Sequence, residues 1–242
     1  MLSRKFMVTM AFVSLLCLTA WGAVSAATSF TFEYDMSQDD TRKVEFVSPT
    51  VTGSGVKGFN LTRGPGINPA NLIHGYSADG WNGAVTLADA ITQGKYYQWG
   101  FTTEAVVSLQ TMDVYLRRSG VSSPMNMEIH VSFDGFATPG FVVSRFNYYG
   151  RRAGTAPAVD PTLTDPFYYM HSQLSGRPDT ETSLGDAIPT IDLTQFPQLQ
   201  GIPDGVEVTF RLYAWGNEAT TPSNSFALGR MSGPKITGIV GR

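Results

Sequence analysis

Between Glu104 and Asp134 this 242-residue chain gathers most of the side chains that could do chemistry: Glu104, Asp113, Glu128 and Asp134, with Arg117, Arg118 and His130 among them. Two carboxyls facing each other across a groove could hydrolyse a glycosidic bond as an acid and base pair. No E-x-D-x-E strand sets two of them on one face, so ordinary surface carboxylates are the plainer reading. His74, His130 and His171 are the only histidines, and none has a partner two or four positions away. A zinc site needs clustered ligands, so the spacing offers none, and His130, between Ile129 and Val131, is expected as a solvated strand histidine. There is no G-x-S-x-G elbow, no H-E-x-x-H and no D-x-D-x-D-G loop, the patterns that carry a serine nucleophile, catalytic zinc and calcium. Asp134-Gly135 reads first as a turn, and calcium at a sandwich edge stays open. No catalytic residue, metal ligand or cofactor is assigned.

Arginines and aromatics carry the remaining chemistry. Adjacent strand residues point to opposite faces. One of Arg117 and Arg118 is therefore expected to bond turn carbonyls or to pair with Asp113 or Asp134, while the other meets solvent. Arg211, between Phe210 and Leu212, is assigned the same structural role, and Arg117, Arg118, Asp134 and Arg211 form the expected structural motif. Tyr148, Tyr149, Arg151, Tyr168 and Tyr169 are the candidate ligand-binding residues, because exposed rings stack on sugars while arginine bonds their hydroxyls. The competing reading is that these rings pin a loop onto the body of the protein.

The elements that must position these groups are strands. Met112, Val114 and Leu116 alternate with polar residues, and so do Met125, Met127, Ile129, Val131 and Phe133. Period two with Gly, Pro and Asp punctuation predicts antiparallel strands with one buried face, here a central hairpin about Ser119-Gly120 and Ser123-Pro124. Val206–Ala214 is the cleanest strand. Thr86–Ile91 predicts one helical turn, capped by Thr86 with Asp89 in a weak capping box. The segment 150–186 is rich in Pro, Gly, Thr and Asp and is expected to be a long loop insertion. Ten to twelve short strands and no long helix predict an all-β fold, an antiparallel two-sheet β-sandwich.

Residues 1–26 read as a secretory signal peptide: Arg4 and Lys5, an apolar run from Phe6 to Val24, and Val24-Ser25-Ala26 before the expected cut. A retained anchor is the competing reading. Residues 27–242 are then a single β-sandwich domain without cysteine, since Cys17 lies in the leader. That suits a bacterial envelope better than a disulfide-stapled secreted domain. Without the leader the chain carries 15 basic and 20 acidic residues, a net charge of −5. Such a balance argues against a nucleic-acid partner. No second apolar span follows, so no membrane span is expected after cleavage.

Four motifs in order resemble a family. Leu61-Thr62-Arg63-Gly64-Pro65-Gly66, Trp81 with Tyr96-Tyr97-Gln98-Trp99-Gly100-Phe101, Leu116-Arg117-Arg118-Ser119-Gly120 with Val131-Ser132-Phe133-Asp134-Gly135-Phe136, and Phe210-Arg211-Leu212-Tyr213-Ala214-Trp215-Gly216 are similar to the LTRG, W…YFxF, RRSG…SxDGF and FRLYGYG motifs of a bacterial secreted jelly-roll family common among PEP-CTERM-type envelope proteins. The resemblance implies a jelly-roll sandwich outside the cell with no assigned enzymatic activity. The family's last-strand Asp is missing from 229–235, and its sorting tail is absent. The expected function is an exported, non-enzymatic envelope or extracellular protein, structural or adhesive, either secreted or at the cell surface, with the periplasm the other compartment consistent with it. A carbohydrate-binding module is the alternative, a carboxylate-dependent glycoside hydrolase the weaker one. Polysaccharide or other envelope and matrix proteins are the expected partners.

Overall fold

The computed structural model describes residues 27–37, 43–118, 123–149, 167–171, 186–216 and 225–241. The expected leader and most of 150–186, Arg151 included, lie outside these residues. In chain order the elements are β1 (Thr28–Asp35), β2 (Thr50–Thr52), β3 (Val56–Arg63), β4 (Asn68–Pro69), β5 (Tyr76–Asp79), α1 (Leu87–Thr92), β6 (Tyr96–Thr103), β7 (Val107–Asp113), β8 (Tyr115–Arg118), β9 (Asn126–Ser132), β10 (Phe141–Tyr149), β11 (Phe167–His171), β12 (Asp186–Ala187), β13 (Ile191–Asp192), β14 (Glu207–Trp215), β15 (Phe226–Leu228) and β16 (Ser232–Val240). Two 3₁₀ turns, Leu193–Gln195 and Pro197–Leu199, lead from β13 towards β14.

The strands make two layers. One is a six-stranded sheet in the order β11-β10-β9-β14-β6-β3. The other consists of two five-stranded sheets, β13-β7-β16-β1-β2 and β12-β8-β15-β5-β4. These two are halves of one layer: β7 runs into β8 across Val114, β12 into β13, and β15 into β16, each keeping its neighbours. Successive strands cross between layers, from β6 to β7, β8 to β9, β13 to β14 and β14 to β15, the winding of a jelly roll. All pairings are antiparallel except β10 with β11.

Alternation explains which face each strand buries. Tyr97, Trp99 and Phe101 of β6 and Val208, Phe210, Leu212 and Ala214 of β14 are buried. They face the other layer, where Phe30 and Phe32 of β1 meet Phe101 edge-on at 6.0 and 5.5 Å. Towards the opposite end, Tyr76 and Trp81 pack on Tyr97, and Trp81 packs on Phe226. Trp99 stacks on Phe210 at 5.8 Å, the two rings nearly parallel. Each such ring removes a large apolar area from water, the main term holding a cysteine-free sandwich together.

The helical turn forms as the sequence predicts. The Asp89 amide donates to the Thr86 hydroxyl, and the Asp89 carboxylate accepts from the Thr86 amide. The expected hairpin does not form. β8 pairs with β12 and β15, whereas β9 pairs with β10 and β14 in the facing layer. Alternation reports that a strand has one buried face but not which strand lies beside it, and here the chain crosses the sandwich between Arg118 and Asn126. Arg118 is 6% exposed and donates from Nη2 to the Ser123 carbonyl at 2.7 Å, the turn-bonding role expected of one member of the pair, while Arg117 is half-buried.

Candidate functional site

Alternation also sets what the six-stranded sheet presents on its outer side. In β6 that side receives Tyr96, Gln98 and Gly100; in β14 Thr209, Arg211, Tyr213 and Trp215; in β9 Glu128, His130 and Ser132. The register aligns them into two rows. Thr62, Gln98, Arg211 and His130 lie side by side on β3, β6, β14 and β9. Tyr96, Tyr213, Glu128 and Arg145 form the next row on β6, β14, β9 and β10.

Arg211 is the centre of the first row. Its guanidinium lies 4.2 Å from the ring centroid of Tyr96 and 4.2 Å from that of Phe136. Nε donates to Oε1 of Gln98 at 2.8 Å, and Nη1 reaches the Tyr213 hydroxyl at 3.4 Å. Tyr213 meets Tyr96 and Phe136 edge-on. Burial pushes its hydroxyl above the ordinary tyrosine range, against the opposing pull of Arg211. A cation between aromatic faces is fixed in orientation and stabilised by the ring quadrupoles.

Phe136 arrives there through a tight turn. The Ser132 hydroxyl accepts from the amides of Asp134 and Phe136 at 3.1 and 2.9 Å. Gly135 and Phe136 both have φ of 66°, the left-handed region. Asp134 holds the turn from its other side, accepting from the Ser132 hydroxyl at 2.5 Å and from the Thr138 hydroxyl at 2.6 Å. These bonds, Ser132's first, hold its carboxyl below the usual aspartate range. The bonds of Asp134 thus lock its own turn. Asp113 accepts from Thr190 at 2.6 Å in the other layer.

A buried polar cluster joins the two rows. Glu128 and His130 are 8% and 7% exposed. Oε2 of Glu128 lies 2.8 Å from Nε2 of His130, and Oε1 lies 2.9 Å from Nε of Arg145. The expectation of a solvated His130 is therefore wrong. The outer face of this sheet is not open to water here, because the ring of Tyr213 stands 5.1 Å from His130 and the carboxylate covers its edge. Further along, Ala84 and Ala90 with Leu87 pack α1 against Tyr213, Tyr96 and Trp215.

Phe59 borders the polar row. A Cβ on Gly100 would fall 2.5 Å from its Cζ, so the glycine leaves the space its ring occupies over the sheet. The early turn closes the other side: Gly64 donates to the Tyr96 carbonyl at 2.8 Å and Gly66 to that of Gly94 at 3.1 Å. Arg63 clamps it, donating to the carbonyls of Ser77 and Val44 with its guanidinium over Tyr76. The LTRG, YYQWGF, SFDGF and FRLY segments thus meet around one patch.

The other candidates fall elsewhere. Tyr148 and Tyr149 belong to β10, Tyr168 and Tyr169 to β11, and their side chains lie outside the described residues, as does Arg151. Part of the expected loop is a strand: Phe167–His171 pairs in parallel with Arg145–Tyr149. The four carboxylates do not share a groove. Asp113 lies on the outer side of one layer and Glu128 on the outer side of the other, while Glu104 and Asp134 are exposed where β6 and β9 end. Among the described residues no three His, Cys, Asp or Glu side chains are placed to hold a metal ion. None of the described helices is long and apolar enough to cross a membrane. Gln98, Tyr96 and Phe136 stand in the family motifs but were given no site role from sequence, although the alternation of Tyr96–Phe101 already sets Tyr96 and Gln98 opposite the buried Tyr97, Trp99 and Phe101.

Comparison with family models, with curated proteins and with solved structures finds no match in any of the three.

Proposed function

We propose that the protein is an exported, non-enzymatic envelope or extracellular protein with a structural or adhesive role. The observation that carries this reading is the outer-sheet patch. Its charged groups engage one another or neighbouring rings in a fixed arrangement, and of the carboxylates considered for hydrolysis Asp113 and Glu128 lie on the outer sides of opposite layers while Glu104 and Asp134 sit at strand ends. A rigid jelly roll with one polar and aromatic face suits holding on to another molecule better than turning one over. The apolar leader with its small-residue cut site supports export, and the ordered motifs support kinship with the secreted jelly-roll family.

A second reading, a carbohydrate-binding module, is favoured by one feature: Tyr96, Phe136, Trp215 and Phe59, all partly exposed, surround the Thr62–Gln98–Arg211 row. It moves the expected binding surface from the 148–169 segment to the sheet face. Fractionation of the producing cells is expected to find the protein in the medium or at the surface, and purified residues 27–242 are expected to sediment with washed envelopes. Recovery in the cytoplasm, or no sedimentation with envelopes, would sink the proposal.

A further inference from the structure

Arg63 donates from Nε, Nη1 and Nη2 to the carbonyls of Ser77 and Val44. Arg211, also half-buried, has neutral partners too but uses fewer of its donors: Nε bonds the Gln98 amide, Nη1 reaches the Tyr213 hydroxyl, and Nη2 bonds nothing among the described residues. No carboxylate reaches it among those residues, and its other contacts are the rings of Tyr96 and Phe136. A half-buried guanidinium without a counter-charge is poorly compensated for the water it has lost. It is also held in place, packed on the rings of Tyr96 and Phe136 with its Nε fixed by Gln98, which leaves Nη2 to engage a ligand.

That nitrogen has matching neighbours. Gln98 accepts the Arg211 bond through Oε1, which turns its amide nitrogen, with two donors, to the other side. Thr62, itself partly exposed, stands next along the row with a hydroxyl. Phe59, over Gly100, supplies a partly exposed ring beside them. A planar N–H fork, amide donors, a hydroxyl and an aromatic face in one line are complementary to a carboxylate, sugar hydroxyls and a sugar C–H face respectively.

We infer that the row Thr62–Gln98–Arg211, flanked by Phe59 and Tyr96, binds an acidic polysaccharide, with the carboxylate of a uronic acid unit on Arg211. This inference rests on the adhesive reading and names the polymer class it would grip. The chain's acidic balance does not oppose it, because the site supplies its own uncompensated positive charge.

The test uses purified residues 27–242 with polygalacturonate, neutral dextran and dextran sulfate, read by calorimetry. Wild type is expected to bind polygalacturonate saturably, dextran not at all, and dextran sulfate more weakly. Losing a charge-assisted fork should weaken polygalacturonate binding about tenfold or more in Arg211→Gln, with Arg211→Lys between the two. Because Arg211→Gln could also disturb packing, Gln98→Glu serves as the second variant. It is nearly isosteric and gives Arg211 an internal carboxylate, so it should abolish polygalacturonate binding while leaving the melting temperature unchanged or raised. Unchanged binding in Gln98→Glu, equal binding of dextran, or tighter binding of dextran sulfate overturns the inference, as does no binding of any polymer. Envelope sedimentation is scored separately, so a protein that sediments but ignores polygalacturonate keeps the adhesive role and loses this ligand.

Discussion

Glu128 divides its carboxylate between two neighbours, Oε2 facing Nε2 of His130 at 2.8 Å and Oε1 facing Nε of Arg145 at 2.9 Å. The first contact is a hydrogen bond; in the second the Arg145 N–H is not aligned on the oxygen, so that contact acts through charge. The relationship makes a polar cluster part of the sheet's stability rather than of its surface. Removing Glu128 leaves the Arg145 charge and the buried His130 ring without their shared partner, at a cost of about 3 kcal/mol. Glu128→Ala is expected to lower the denaturant midpoint accordingly. Arg145→Ala should cost much less, since its side chain is 33% exposed and water screens the pair. Equal losses in the two variants would show that Glu128 acts by packing alone.

The two buried tryptophans should respond differently to the same change. Trp81 donates from Nε1 to the Ala78 carbonyl at 2.9 Å, whereas Nε1 of Trp99 has no partner. Both rings are fully enclosed. Trp81→Phe loses a hydrogen bond that Trp99→Phe does not have to lose, a difference of about 1 kcal/mol. Thermal melts of the two variants should rank Trp81→Phe as the less stable.

Acid should act first through the turns. Asp35, Asp89, Asp134 and Asp192 all have carboxyls held below the ordinary value of 3.8, chiefly by bonds from Ser37, Thr86, Ser132 and Thr194. Because the folded state depresses these values, the stability they contribute is present above pH 3.8 and is lost as pH falls through the lower folded values. The melting temperature is therefore expected to hold towards pH 4 and to drop below it. Asp134→Asn should flatten that drop and, by loosening the turn that carries Phe136, change the fluorescence of the Tyr96–Tyr213 pair. An acid limb identical to wild type would show that the Asp134 bonds contribute nothing.

Gly100 offers a steric test. A Cβ there would lie 2.1 Å from the Val208 carbonyl oxygen and 2.5 Å from Phe59, whereas one on Gly205 would meet nothing within 4 Å. Gly100→Ala should cost about 3 kcal/mol through forced displacement of β14 or the ring. Gly205→Ala should cost about 1 kcal/mol, from its φ of 78° alone. Comparable melting temperatures for the two variants would contradict this close packing of Phe59 and β14.

The fold was largely legible in the sequence, because period-two alternation in Tyr96–Phe101, Met127–Val131 and Val206–Ala214 reports burial directly. Strand partnership was not, since the code for a buried face is the same whichever strand lies alongside. Arg118 and Asn126 are a few residues apart yet serve opposite layers. The candidate patch was half visible. Arg211 and Asp134 stood out by type, but their meeting depends on a turn with two successive left-handed residues, and a bulky residue such as Phe136 rarely adopts that conformation. His130 was misread because alternation tells which side of a sheet a residue faces, not whether that side is covered.

The first described strand, β1, finds its main partner in the last, β16, which also pairs with β7. Residues 232–240 therefore lie between two strands that have no other bond to each other. A nascent chain has β1 and β7 in hand long before the strand that joins them exists. Closure must wait for nearly the whole polypeptide, so the chain is expected to fold late and slowly, as contacts distant in sequence require.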